Sequence, residues 1–160
     1  MSNYNTAFDF ASQLPFGWQA WVMVATIVAI AVAIPLRMRR AGRVRSAFAM
    51  FAGVAAVVAA LTFSAITQYV EVAGAVMNGR TQTAEGMVTN FAGAQRGQGT
   101  EAFELGGRQF SYSYGLLKPG YNATQLWGGR LRDGQQVRVT YYDASWNERV
   151  ITKVEIAGGA

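Results

Sequence analysis

The sequence contains no cysteine and no histidine, and it has few charged residues. These absences exclude disulfide frameworks, iron–sulfur clusters, Cys/His zinc sites, His-ligated haem and nucleophile pairs of the Ser–His or Cys–His type. Charged residues make up 14% of the 160 residues, against roughly 25% in an ordinary soluble domain. A deficit of this size indicates that part of the sequence is hidden from water.

Two long stretches, residues 10–36 and 46–70, carry no charged side chain. As helices they rise by roughly 1.5 Å per residue, so each is long enough to cross the roughly 30 Å of hydrocarbon in a bilayer. A buried helix of a soluble protein is the alternative for one such stretch, but helices this long and apolar are rare in so small a domain. The sequence therefore predicts two transmembrane helices, over residues 16–36 and 46–70.

Five arginines lie between the two stretches, within residues 37–45: Arg37, Arg39, Arg40, Arg43 and Arg45. Basic residues in short loops stay in the cytoplasm. We therefore expect this arginine loop to be cytoplasmic, with both ends of the chain outside. The loop accounts for the net charge of +5, so a nucleic-acid partner is not indicated. We expect the arginines to orient the helices and contact anionic lipid headgroups; a docking patch for an acidic partner or a specific lipid is the alternative.

The first stretch includes Ala31-Val32-Ala33, which resembles a signal-peptide cleavage site, but in the expected orientation this site lies at the cytoplasmic end of the helix. Signal peptides begin with a basic region, whereas residues 1–15 contain no lysine or arginine. We expect an uncleaved helix that follows an extracytoplasmic tail over residues 1–15. This topology places the protein in the inner (plasma) membrane as a multi-pass protein, with membrane lipids among its partners.

Neither predicted helix has an ionisable residue within its span, which argues against a transporter or a proton relay. Small residues recur every four positions, and such stripes allow helix backbones to pack closely. We expect the two stripes to face each other in a two-helix hairpin, with a homo-oligomer through the same faces as the alternative. The stripes consist of Ala25, Ala29 and Ala33 in the first helix and Ala52, Ala56 and Ala60 in the second.

After a linker over residues 71–83, the hydrophobic pattern changes from helical to alternating. Five short strands are predicted, at residues 86–91, 101–105, 108–114, 136–142 and 149–156. Gly106 and Gly107 suit a two-residue hairpin turn that needs positive φ. Closing the sheet would remove its exposed edges. The predicted fold class is α+β, a transmembrane helix hairpin followed by a small OB-like or SH3-like β-barrel over residues 84–157.

The β region also resembles a known kind of module. Its pattern of turn and strand residues includes Gly86, Thr89-Asn90-Phe91, Gly120-Tyr121-Asn122 and the segment from Gly128-Gly129 through Asp133-Gly134 to Tyr141. This pattern is similar to the C-terminal small β-barrel module of uncharacterised bacterial inner-membrane proteins, and it covers roughly residues 84–156. The resemblance implies a bacterial source and a domain boundary, but it carries no catalytic motif and implies no activity.

No pattern in the sequence indicates catalysis, a metal or a cofactor. The acidic residues are scattered, and no glycine-rich phosphate loop precedes a helix. A Ser–Lys pair is formally possible, from Lys118 or Lys153 with Ser111, Ser113 or Ser145. We expect a protein that is not an enzyme and that holds no cofactor.

Aromatic and amide residues are concentrated in an irregular segment between the predicted strands. Aromatic faces beside amides suit sugars or peptides. The alternative is that Phe110, Tyr112, Tyr121 and Trp127 fill the interior of the domain. The candidate ligand- or partner-binding residues are Tyr114, Tyr121, Asn122, Trp127 and Arg130.

Two functions remain open from the sequence. The first is a non-catalytic, membrane-anchored interaction or accessory protein, whose β domain contacts a partner outside the cytoplasm. Its partners would be other membrane proteins or further copies of itself. The alternative is a glycan- or peptide-binding sensing module anchored in the inner membrane.

Overall fold

The computed structural model describes residues 4–12, 44–93, 99–114 and 118–158, together with residues 25, 26, 28, 29, 32, 33, 36 and 37. Among them are one long helix, two short 3₁₀ turns and seven strands, so the protein is α+β with a small β domain. The helix, α1, spans Val44–Met77, and the 3₁₀ turns span Phe10–Ser12 and Gln125–Trp127. The strands are β1 (Tyr4–Asp9), β2 (Gln82–Met87), β3 (Thr89–Ala92), β4 (Thr100–Leu105), β5 (Arg108–Ser113), β6 (Gln136–Asp143) and β7 (Arg149–Ala157).

The strands form two antiparallel sheets, in the orders β1-β7-β6-β2 and β3-β4-β5. The chain passes from the first sheet to the second at Val88, which is fully buried. The backbone of Val88 pairs with the turn before β6: its N–H donates to the Gln135 carbonyl and its carbonyl accepts from the Gly134 N–H. One predicted strand, 86–91, is therefore two strands with a corner between them. The structure describes two sheets where a single closed barrel is predicted.

The core of the β domain lies between the two sheets. Alternation along β6 directs Val137, Val139 and Tyr141 inwards, as the sequence predicts. Phe103 on β4 stacks on Phe110 of β5, with ring centroids 5.2 Å apart. The remaining buried members of this core are Val88, Leu105, Tyr112, Tyr121, Leu131, Ile151 and Val154.

Helix α1 exposes most of its apolar surface. Its 34 residues span about 50 Å at 1.5 Å per residue. The part over Ala49–Met77 is long and apolar enough to cross a membrane: its most apolar window of 18 residues has a mean hydropathy of 2.2, and only 6% of that window is buried. Val57, Leu61 and Phe63 are each more than half exposed. The helix therefore does not serve as the core helix of the described part of this chain.

The last turns of α1 belong to the β domain. Val72 and Ala75 are fully buried, and Val72 packs with Phe10, Ala144 and Val150 in a second core cluster. The Glu71 carboxylate accepts hydrogen bonds from the Tyr142 hydroxyl at 3.1 Å and from the backbone N–H and hydroxyl of Ser145 at 2.8 and 2.7 Å. The helix is thus joined to the sheet by packing and by hydrogen bonds, although residues 71–83 are predicted as a linker.

The N-terminal segment is part of the sheet. Within residues 1–15, predicted as a tail, β1 forms the edge strand next to β7, with Tyr4 opposite Ala157. The Tyr4 hydroxyl also reaches across the sheet to the Glu85 carboxylate at 2.7 Å, and the Arg138 guanidinium bonds the same carboxylate at 2.8 Å. These two hydrogen bonds lower the pKa of Glu85, so they favour the ionised carboxylate that holds β1 in place.

The first predicted membrane helix is described only at scattered positions. Its seven described residues, at positions 25 to 36, have helical backbone and are exposed, and the same holds for Arg37, the first residue of the predicted arginine loop. The bounds of a helix there lie outside the described residues, so a two-helix hairpin is not shown.

Candidate functional site

A buried carboxylate organises the irregular segment between β5 and β6. Glu101 on β4 is fully buried, on the same face as Phe103 and Leu105. It accepts a hydrogen bond from the Tyr112 hydroxyl at 2.6 Å and another from the Gln125 N–H at 2.7 Å. Burial and the hydrogen bond to Glu101 raise the pKa of Tyr112, so this phenol remains a donor. Glu101 thereby ties the sheet to the first residue of the second 3₁₀ turn.

The loop over residues 123–129 closes tightly on itself. The Thr124 carbonyl accepts from the N–H groups of both Trp127 and Gly129 at 2.8 Å. Gly128 has φ of 82°, in the left-handed region that favours glycine. A Cβ on Gly129 would overlap the Ala123 carbonyl oxygen. The conformation of this loop is thus defined by glycines at its end and by Glu101 at its start.

This loop and Tyr114, which follows β5, together present an exposed apolar surface. We call it the aromatic patch and define it as Tyr114, Leu126 and Trp127. Trp127 is 62% exposed and Leu126 is 67% exposed. The indole of Trp127 stacks on the Tyr114 ring, with centroids 4.5 Å apart and planes inclined by 15°. One face of the indole is therefore supported by Tyr114, while much of the side chain remains exposed to solvent.

The five candidate binding residues have different environments in the structure. Tyr114 and Trp127 are in contact with each other. Tyr121 is buried, and its ring lies against Tyr112 at a centroid distance of 5.0 Å; burial raises its pKa, and its hydroxyl accepts from the Arg130 N–H at 3.2 Å. Asn122 is half-buried and Arg130 is exposed. Burial of Phe110, Tyr112 and Tyr121 agrees with the core alternative, whereas exposure of Trp127 does not.

A polar groove of about 700 Å³ lies beside β5. Gln109, Ser111 and Ser113 line one side, and Lys118 and Asn122 lie among the residues that line the rest. We call it the β5 groove. It contains two of the Ser–Lys combinations considered from the sequence, Lys118 with Ser111 and Lys118 with Ser113. The Lys118 ammonium, however, donates to both Glu148 oxygens at 3.2 and 3.4 Å. The Lys118 side chain is thus engaged by Glu148, and no hydrogen bond joins it to Ser111 or Ser113 among the described residues.

The membrane-related site residues are described only in part. Ala25, Ala29 and Ala33 have helical backbone, and Ala52, Ala56 and Ala60 lie along an exposed stripe of α1. Arg37 has helical backbone and is exposed, and Arg45 lies in the first turn of α1. Arg39, Arg40 and Arg43 lie outside the described residues.

Sequence reasoning missed two elements of this region. Glu101 has no acidic neighbour that marks it as functional in the sequence, although its spacing from Phe103 and Leu105 puts it on the inward face of a strand. Leu126 has no pattern around it that marks it as exposed. Within the part of the chain that the structure describes, no group of acidic side chains is placed to hold a metal ion.

Comparison with known proteins gives no relative to this chain. No protein-family model, no curated protein and no solved structure matches it. The resemblance to the β module of bacterial membrane proteins therefore stays a prediction. The structural features that bear on function are the aromatic patch, the β5 groove and the exposed apolar surface of α1.

Proposed function

We propose that the protein is a non-catalytic, membrane-anchored interaction protein, whose β domain binds a partner protein outside the cytoplasm through the aromatic patch. The observation that carries the proposal is the exposure of Trp127, 62%, on a loop with a defined conformation. Tryptophan and tyrosine are enriched among the few residues that supply most of the binding energy at protein interfaces. A fixed loop also loses little conformational entropy on binding.

The surroundings of Trp127 favour a protein partner over a glycan. Leu126 extends the patch with aliphatic surface, which a protein side chain can cover. A sugar would instead need polar partners beside the ring. The nearest carboxamide in sequence, that of Gln125, donates to the Leu131 carbonyl at 3.3 Å and is thus engaged within the loop. The glycan-binding alternative is therefore the weaker of the two.

The proposed anchor is α1 together with a second crossing of the membrane by residues 13–43. Pairing of β1 with β7 keeps residues 4–9 on the same side of the membrane as the β domain. If α1 spans the bilayer, Val44 lies on the other side, and the chain between Ser12 and Val44 has to return. That segment contains the charge-free stretch 16–36 and most of the arginine loop. This return of the chain supports a two-helix hairpin, and we place the hairpin in a bacterial inner membrane with both ends of the chain outside the cytoplasm.

The natural absence of cysteine makes this topology directly testable. We expect the single variants Asn5→Cys and Thr83→Cys, both at exposed positions, to react with a membrane-impermeant maleimide in intact spheroplasts. Arg40→Cys should react only after the membrane is permeabilised. The cysteine-free wild-type chain is the control for background labelling. Reaction of Arg40→Cys in intact spheroplasts, or opposite results for Asn5→Cys and Thr83→Cys, would rule the hairpin out.

The function is tested by purifying the full-length chain from its native membrane in mild detergent and determining its native mass. We expect a complex with a different protein, and we expect Trp127→Ala to weaken it by at least about 10-fold, the effect of losing a central interface residue. Met87→Ala is the matched control, because Met87 is 57% exposed on β2 and lies outside the patch. Its complex should be unchanged.

The proposal fails if the wild-type chain is recovered only as a monomer or homo-oligomer. It also fails if Trp127→Ala and Met87→Ala give the same amount of complex. Thermal unfolding of both variants separates lost binding from lost folding, and we expect each to unfold within a few degrees of the wild type, because each removes a mostly exposed side chain.

A further inference from the structure

The register of the β4–β5 hairpin fixes which backbone groups of β5 point outwards. Leu105 lies opposite Arg108 and is joined to it by Gly106 and Gly107, with φ of 57° and 75°. In a two-residue hairpin the closing pair of residues exchanges its backbone hydrogen bonds. Further along the ladder, pairs that exchange hydrogen bonds alternate with pairs that do not. Gln109, Ser111 and Ser113 consequently direct their N–H and C=O groups away from β4.

Two contacts agree with this assignment. The Tyr114 N–H donates to the Gly99 carbonyl at 3.2 Å, which continues the ladder at the next hydrogen-bonded pair. On the other side, the Arg149 guanidinium donates to the Gln109 carbonyl at 2.8 Å and thus meets an outward-facing group. Among the described residues, no strand pairs with this outer edge of β5.

The free edge opens into the β5 groove. Lys118, Pro119 and Asn122, which follow β5 in the chain, also line the groove. This segment is itself fixed to the first sheet, because the Tyr121 N–H donates to the Ile151 carbonyl at 2.8 Å. The groove is therefore lined both by the outer edge of β5 and by the segment over residues 118–122, which is hydrogen-bonded to β7.

The charges around the groove are paired with each other. Lys118 bonds Glu148 at 3.2 Å, and Arg149 bonds Asp143 at 2.9 Å. The groove therefore offers no excess of either sign to a charged ligand. What it offers is the alternating N–H and C=O groups of Ser111 and Ser113, the complement of a peptide main chain in extended conformation.

We propose that the β5 groove binds an extended peptide segment of a partner protein, which adds as a strand to the free edge of β5 and pairs with Ser111 and Ser113. The inference rests on the proposed function in one respect, namely that the partner is a protein. The site itself is separate from the aromatic patch, which begins at Tyr114, directly after β5. Main-chain pairing would supply the affinity, and the other residues that line the groove would select side chains.

The test uses peptides selected from a random 12-residue phage-displayed library on the full-length chain in lipid nanodiscs. Ser111→Pro removes one outward N–H and places a ring on the edge, and proline is tolerated at edge positions outside the ladder. We expect it to weaken the selected peptide by at least 10-fold. Ser111→Ala keeps the amide and is the matched control, with an expected change below twofold.

A second measurement does not depend on the folding of a variant. Each backbone N–H of the selected peptide is methylated in turn, and affinity for the wild-type chain is measured. Strand addition predicts an alternating pattern, because only every second peptide N–H faces β5. Hydrogen exchange should also show slower exchange at Ser111 and Ser113 when the peptide is bound.

The inference is overturned if no peptide is selected, if Ser111→Pro binds as well as Ser111→Ala, or if methylation has the same effect at successive positions. Because these assays use a synthetic peptide, their result is independent of the native complex. If Trp127→Ala loses the native complex and no peptide binds, the aromatic patch remains supported as a binding site and the β5 groove does not. If a peptide binds as expected and Trp127→Ala keeps the native complex, the β5 groove remains supported as a binding site and the aromatic patch does not.

Discussion

Replacing Glu101 by alanine should destabilise the β domain by about 3 kcal/mol. Glu101 is fully buried and accepts hydrogen bonds from the Tyr112 hydroxyl and the Gln125 N–H. The substitution leaves two donors without this acceptor, and each buried donor left unsatisfied costs about 1–3 kcal/mol. For a domain of roughly 100 residues, this corresponds to a fall in Tm of more than about 10 °C. Thermal unfolding of the full-length chain in detergent, followed by near-ultraviolet circular dichroism, measures it.

Glu104→Ala is the matched control for this prediction. Glu104 lies on the same strand, points to the other face and is only half-buried, and it accepts a hydrogen bond from the Asn90 amide at 2.8 Å. Its replacement should cost less than about 1 kcal/mol, because solvent can replace the lost partner. Equal losses for the two variants would show that Glu101 is not the residue that holds the segment to the sheet.

Replacing Gly129 by alanine should open the loop that carries Trp127. The new Cβ would overlap the Ala123 carbonyl oxygen, so the backbone has to move and the hydrogen bond from Gly129 to Thr124 is strained. Overpacking of this kind typically costs about 1–3 kcal/mol. We expect a lower Tm and, because the indole loses its support on Tyr114, the same loss of native complex as in Trp127→Ala.

Gly99→Ala provides the comparison for Gly129→Ala. Gly99 directly precedes β4, and a Cβ there would meet no atom of the described residues within 4 Å. This variant should unfold at the wild-type temperature or slightly above it, since alanine reduces the entropy of the unfolded chain. If Gly129→Ala behaved in the same way, the loop would be free to adapt and the patch would not be preformed.

Several elements of the fold could be predicted from the sequence because local pattern determines them. The apolar run after residue 46 gives a helix, Gly106-Gly107 gives a two-residue turn, and alternation on β6 gives an inward face of Val137, Val139 and Tyr141. In each of these places a few consecutive residues are enough to specify the backbone conformation, without contacts from distant parts of the chain.

Other elements depend on partners that are distant in the chain. The short, polar β1 has little strand signal of its own, and its pairing is made by the last strand. Trp127 is a large apolar residue of the kind usually found in a core. It is exposed here because its loop conformation is fixed by Gly128 and Gly129 after it and by the hydrogen bond of Gln125 to Glu101 before it. The groove could not be predicted either, because it is produced by the edge of one sheet lying beside a segment fixed to the other.

The pairing of β1 with β7 also has a consequence for how the protein is made. Tyr4 meets Ala157 in the finished sheet, so β1 is synthesised well before β7, the strand with which it pairs. Until then β1 has no edge to join, and long-range pairing of this kind is slow to form. A chain that is truncated before β7 would leave both β1 and β6 without their neighbour, exposing strand edges to aggregation and to quality-control proteases. The four-stranded sheet is therefore completed only after β7 has been synthesised and has paired with both β1 and β6.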